Sequence, residues 1–174
     1  MNKKLKIFII GILLILVTGC SGNYNLKIND DMSINEELYL TIDNSNNAYT
    51  KTLKIFKENN IPEDDYEVVL SDNNVRITYN KKYDSIEEYL LNSKVYHELI
   101  DEIQFNKSNN YIDLYVNQKL KVSNDNGIKM NGTNLVDLDV LQINIENPFD
   151  VNFSNAEIVN DNVYTWTIKK GDTG

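Results

Sequence analysis

One cysteine in 174 residues excludes an intrachain disulfide framework, and one histidine excludes a Cys/His zinc cluster. Two prolines and seven glycines are too few for a collagen-like or loop-only chain. Positive charge is scarce: 17 Lys and Arg stand against 26 Asp and Glu, a formal charge of −9, which argues against nucleic-acid binding. The longest apolar run, over residues 7–17, falls short of the roughly 20 residues that span a bilayer. No G-x-S-x-G elbow occurs, and no repeat or long linker divides the chain. At 174 residues the chain is also too short for a two-lobed solute receptor.

What is present begins at the amino terminus. Lys3, Lys4 and Lys6 precede the apolar run, and small residues follow it, which are the three parts of an export signal. The sequence Val17-Thr18-Gly19-Cys20 resembles the bacterial lipobox. That resemblance implies recognition of Val17, Thr18 and Gly19 by the signal peptidase, removal of residues 1–19, and a diacylglycerol thioether on Cys20, with a further acyl chain such as palmitate where the new amino group is also modified. Two acyl chains make a stable anchor where one gives only marginal binding. Loss of the three lysines lowers the basic count from 17 to 14 and takes the formal charge to −12. Anionic lipid repels such a surface, so the anchor rather than the domain holds the protein at the extracytoplasmic face of the cell membrane. Residues 20–23 read as the lipidated cysteine and a short tether, residues 24–170 as one domain and residues 171–174 as a tail. A domain of this size buries about 70% of its unfolded surface.

Asparagine, isoleucine, lysine and tyrosine are frequent, a composition typical of an AT-rich genome, and Asn clusters such as Asn44-Ser45-Asn46-Asn47 mark turns. Tyr24, Leu26 and Ile28, then Leu38, Leu40 and Ile42, alternate with polar residues on either side of Asp30-Asp31, which predicts a hairpin. Tyr49, Leu53 and Phe56 have helical spacing, and Ile61-Pro62 ends that helix. Residues 66–70 and 75–79 form a second hairpin around Ser71-Asp72-Asn73-Asn74. Ser85 with Glu88 three positions on is a capping box that opens another helix. A further helical or irregular piece is expected over 95–103, strands over 111–116 and 119–122, and an irregular stretch over 123–134. A long strand follows over 136–145, bulged where its parity changes and broken by Asn147-Pro148; a last strand covers 163–168. The expectation is an α+β domain: a mostly antiparallel sheet with two or three helices packed on one face.

The lipobox, the early hairpin, Tyr83-Asp84-Ser85-Ile86-Glu87-Glu88 after the second hairpin, and the run Asn147-Pro148-Phe149-Asp150-Val151, Ser154-Asn155-Ala156-Glu157, Asn162-Val163-Tyr164-Thr165-Trp166 together resemble the LppM-type domain of bacterial envelope lipoproteins. The resemblance implies an exported, membrane-attached protein for which lipid binding is proposed, with no catalytic motif to carry over. It departs from the family in ending at Gly174 without a second hydrophobic segment, which puts the anchoring on Cys20.

Chemistry-bearing residues are few. His97 is the sole candidate imidazole base, and Tyr96 and Glu98 beside it make no catalytic signature. Asp43-Asn44-Ser45-Asn46-Asn47 imitates a calcium loop but has Ala48 where glycine and Lys54 where glutamate are required, and Asn124-Asp125-Asn126-Gly127 lacks the closing glutamate. Glu63-Asp64-Asp65 reads as a solvated turn. No catalytic residue, cofactor or metal ligand is therefore assigned. Tyr24, Tyr66, Tyr79, Tyr111 and Tyr115 fill or flank the sheet, while aromatic residues with polar tips also suit lipid and glycan grooves. Lys107, Lys119, Lys121 and Lys129 make residues 105–134 locally basic, either as protected strand edges or as a face for anionic polymer. Three readings follow: a non-catalytic binder of a lipid or other envelope ligand, which needs a cavity between sheet and helices; an interaction or structural module of an envelope complex; and a small envelope hydrolase. Nucleic acid is not an expected partner, and the sequence leaves the oligomeric state open.

Overall fold

The computed structural model describes residues 20–43, 48–71, 73–99, 102–108, 111–117, 129–130, 133–134 and 138–169. Its main element is a seven-stranded sheet. Strands β1 (Cys20–Ile28) and β2 (Ile34–Asp43) form the first hairpin. Met32 takes a positive φ in the turn, and Asp31 accepts hydrogen bonds from the Ser33 amide and hydroxyl. Helix α1 (Ala48–Glu58) follows. It ends in a Schellman motif: Asn60 is left-handed, the Ile61 amide reaches the Phe56 carbonyl, and the Asn60 amide reaches that of Lys57.

A 3-10 turn (Glu63–Asp65) leads to β3 (Tyr66–Leu70), which pairs antiparallel with β4 (Asn74–Tyr83). Ser85 caps α2 (Ile86–Asn92), accepting from the Glu88 amide, while the Glu88 carboxylate accepts from the Asp84 amide at 2.7 Å. Ser93 separates α2 from α3 (Lys94–Leu99). The chain goes on through β5 (Glu102–Ser108), β6 (Tyr111–Asn117), the short pair β7 (Lys129–Met130) and β8 (Thr133–Asn134), then β9 (Leu138–Glu146), β10 (Asp150–Ser154), β11 (Ile158–Asn160) and β12 (Val163–Lys169).

The order across the main sheet is β11-β12-β9-β1-β2-β4-β3, and β10-β6-β5 form a second, three-stranded sheet. The fold is α+β, and the main sheet is mixed though mostly antiparallel: five of its six strand pairings are antiparallel and one is parallel. β1 runs parallel to β9, and β10 runs parallel to β6. The alternation within a strand does not encode its neighbour's direction, so the hairpin reading could not reveal these long-range pairs. The helical or irregular piece expected over 95–103 is also corrected: α3 closes at Leu99 and β5 starts at Glu102. The strand expected over 119–122 lies outside the described residues. The bulge expected in the long strand is present, as Cys20 pairs with Leu138 and Ser21 already with Val140.

One face of the main sheet is the core face. Cys20, Gly22, Tyr24, Leu26 and Ile28 of β1 alternate into it, as do Ile34, Glu36, Leu38, Leu40 and Ile42 of β2. Gly22 lets Leu141, Leu40 and Leu138 close over the strand: a Cβ there would stand 2.9, 3.1 and 3.3 Å from them. Phe56 of α1 packs edge-on against Tyr66 of β3 at 5.2 Å, and Tyr89 of α2 meets the ring of Tyr83 at 5.5 Å. Trp166 is buried on β12 and donates its indole N–H to Asn155. The opposite face is polar: Thr165 donates to Asn144, Asn144 to Asn25, and Asn25 to Glu37, a ladder across four adjacent strands.

Candidate functional site

The buried cluster around Glu36 is the densest polar arrangement among the described residues. Glu36 stands in phase with the inward-facing residues of β2 and is 1% exposed. An isolated carboxylate there would be prohibitively costly, so the surrounding chain must supply donors. Four hydroxyls do so. Tyr24 of β1 donates to Oε1 at 2.7 Å and Ser93 at 2.5 Å; Tyr83 and Tyr79 of β4 donate to Oε2 at 2.9 and 3.3 Å. Because the Tyr24 proton points at Glu36, the 2.7 Å contact between Tyr24 and Tyr89 has Tyr89 as donor. Ser93 in turn accepts from the Tyr96 amide at 2.9 Å. The cluster therefore clamps the α2–α3 junction onto β1, β2 and β4.

Burial pushes the pKa of Glu36 above the ordinary carboxylate value, and the four hydroxyl donors oppose that rise. Burial also lifts the phenols of Tyr24, Tyr89, Tyr79 and Tyr83, with the neighbouring Glu36 charge adding to it. These groups hold protons tightly and out of contact with solvent. Among the described residues no buried side-chain nitrogen or oxygen lacks a hydrogen-bond partner. The arrangement suits a rigid clamp better than a reacting centre, which needs a face open to substrate.

The residues singled out from sequence are dispersed. Cys20 is the first residue of β1, 9% exposed, and its sulfur accepts from the Asp43 amide at 3.2 Å. Residues 20–23, expected as a tether, are instead paired in the sheet: Ser21 with Thr41, Gly22 with Leu40, Asn23 with Tyr39. The strand starts earlier than Tyr24 because Cys20 and Gly22 share the inward phase, and neither is a bulky apolar residue that alternation would reveal. Val17, Thr18 and Gly19 lie outside the described residues, as do Asn44 to Asn47 of the calcium-like loop and Asn124 to Gly127. His97 is exposed on α3, against the ring of Tyr96 at 5.1 Å and 3.4 Å from the Leu91 carbonyl. Glu63-Asp64-Asp65 forms the 3-10 turn, where Asp65 pairs with Lys81 at 2.7 Å. Of the tyrosines, Tyr24 and Tyr79 belong to the clamp and Tyr66 packs on Phe56; Tyr111 and Tyr115 lie on β6, and Lys107 and Lys129 on β5 and β7. Lys119 and Lys121 lie outside the described residues.

Among the described residues no three His, Cys, Asp or Glu side chains converge to hold a metal ion, and no helix is long and apolar enough to cross a membrane. A shallow depression of about 430 Å³ opens at the β1–β2 turn, lined by Asn29, Asp30, Asp31, Ser33, Asn35 and Lys82. It is polar and unlike a lipid groove. Sequence reasoning missed Glu36, although a signal was available: Ile34, Glu36, Leu38, Leu40 and Ile42 share one parity, and a carboxylate in an apolar series requires donors. Compared with family models, curated proteins and solved structures, the chain matches none.

Proposed function

We propose that the chain is a bacterial lipoprotein, held at the extracytoplasmic face of the cell membrane through diacylglycerol on Cys20. Its α+β domain is a non-catalytic binding module for a lipid or another envelope ligand, engaged at the surface. The observation that carries this reading is the amino-terminal sequence itself: Lys3, Lys4 and Lys6, the apolar run over residues 7–17 and Val17-Thr18-Gly19-Cys20, which makes Cys20 the first mature residue. Cleavage before Cys20 leaves every described strand of the main sheet in the mature chain. The LppM-type resemblance is part of the same proposal. Surface engagement is favoured because the Tyr–Glu36 clamp fills the space between α2 and the sheet. Exposed apolar residues on both outermost strands of the main sheet, Val69 and Leu70 on β3 and Ile158 and Val159 on β11, favour a second reading: an interaction module that docks an envelope protein.

Intact mass of the protein extracted from the membranes of an expressing bacterium tests the anchor. The expected species starts at Cys20 and carries diacylglycerol, and Cys20→Ala remains unprocessed. An unmodified soluble chain overturns the proposal. Native mass spectrometry of the same extract then separates the two ligand classes: co-purified lipid supports the first reading, and a protein partner recovered by crosslinking in intact cells supports the second.

A further inference from the structure

The register of the main sheet places Cys20 level with a particular part of the surface. Cys20 lies at one end of β1, opposite the end of β2, where Ser21 pairs with Thr41. Ile42 pairs with Val75 of β4, and Val75 pairs with Leu70 of β3. Cys20, Ile42, Val75 and Leu70 therefore lie in one row across four strands. At about 4.8 Å per strand, Leu70 is roughly 14 Å from Cys20 across the sheet and at the same height. Val75 and Ile42 are fully buried, whereas Leu70 is 61% and its neighbour Val69 47% exposed. Two large aliphatic side chains are thus presented to solvent on an outermost strand, beside the hairpin turn at the Cys20 end.

Resting on the lipoprotein reading, we infer that this end of the sheet sits on the bilayer, with Val69 and Leu70 seated in its headgroup boundary. The absence of a tether carries the argument. Ser21, Gly22 and Asn23 are paired with β2 on one side and β9 on the other, so acyl chains on Cys20 leave the domain within one residue of the sheet once that terminal residue turns its sulfur, buried here beside the Asp43 amide, out of the core. A domain on a long linker could turn any face to the membrane; this one is held with its Cys20 row against it. Charge runs the same way. The described charged residues at the strand ends of the Cys20 row are Arg76, Lys169, Asp43 and Asp139, which balance. The other end of the sheet carries Asp30, Asp31, Asp65, Asp84, Glu146 and Asp161 against Lys27, Lys81 and Lys82. The acidic end, about 27 Å away along the nine residues of β1, points away from anionic headgroups. Aliphatic side chains at an end where the described charges balance complete a shallow interfacial contact.

Once Cys20 is a thioether, a cysteine introduced elsewhere is the only free thiol, which permits a clean test. Full-length lipidated protein carrying Leu70→Cys, Val69→Cys or Asp30→Cys is labelled with bimane and reconstituted into vesicles of phosphatidylethanolamine and phosphatidylglycerol, with or without lipid brominated high on the acyl chain. Intact mass establishes lipidation in each sample. The expected result is that brominated lipid lowers emission at positions 69 and 70 by about half, as seating at the headgroup boundary requires, and leaves position 30 unchanged. Lipidated protein with no quenching at 69 or 70, or equal quenching at 30, overturns the seating and leaves the anchor standing. A chain without lipid overturns the anchor, and the seating with it.

Discussion

The core face of the main sheet has two halves that are equally dry and built on different physics. Nearer Cys20, the aliphatic side chains of Leu40, Leu138, Leu141 and Ile168 pack around Gly22, where a Cβ would crowd the three leucines. Nearer the β1–β2 turn, Glu36 gathers the hydroxyls of Tyr24, Tyr79, Tyr83 and Ser93, with Tyr89 behind Tyr24. Dispersion and the hydrophobic effect hold the first half and tolerate rearrangement of equal volume. Directional hydrogen bonds hold the second, and these have one satisfactory geometry. The difference shows why the α2–α3 pair, made of short helices, docks in one orientation: its contact with the sheet runs through a carboxylate that only these donors satisfy.

The comparison is broken most severely by Glu36→Ala, which leaves four buried hydroxyls without their acceptor; it is expected to cost about 4 kcal/mol in urea unfolding. Leu141→Ala in the aliphatic half is expected to cost about 3 kcal/mol through a cavity, and its effect is the same at pH 6 and pH 9 because no titrating group is touched. Alkali distinguishes the halves without any mutation. The folded-state phenol values of Tyr24 and Tyr89 are raised, so their contribution is complete below the ordinary phenol value near 10 and is lost as pH climbs above it. These two groups alone give a slope of about 2.7 kcal/mol per pH unit, read as a steep alkaline unfolding at which buried tyrosinate absorbance appears all at once. The smallest effect is Glu36→Gln. The raised carboxyl contributes stability that is complete below its unfolded value and lost as pH rises through the folded one. The permanently neutral variant lacks that decline, so its stability relative to the parent improves across that interval; a parallel pair of curves speaks against a buried titrating carboxyl.

Local features of the fold were legible. The Asp30-Asp31 turn, the helix ended by Ile61-Pro62, the hairpin around Ser71-Asp72-Asn73-Asn74 and the Ser85–Glu88 cap are each written in a few adjacent residues whose chemistry acts over one turn. The parallel pairing of β1 with β9 is not, since it depends on which distant apolar face is left to cover. β5 and β10 do alternate, with Ile103 and Phe105 in one and Val151 and Phe153 in the other, but two apolar positions did not outweigh the neighbouring helix and turn residues, and β11 has only three residues. The clamp was half legible: Tyr24 and Tyr79 read as sheet fillers, whereas Glu36, Tyr83, Tyr89 and Ser93 converge only once β4 and the α2–α3 junction are folded over β2.

The placement of β1 between β2 and β9 has a kinetic consequence. Its bonds to β2 form across a tight turn, but the contact of Asn25 with Asn144 closes a loop 119 residues apart in sequence. Loops of that length raise the contact order and slow the rate at which the native topology is found. A chain made amino terminus first presents β1, β2 and β4 early, with one side of β1 unpaired until β9 emerges. Through that interval the exposed ladder of β1 is the segment most open to pairing with the wrong strand.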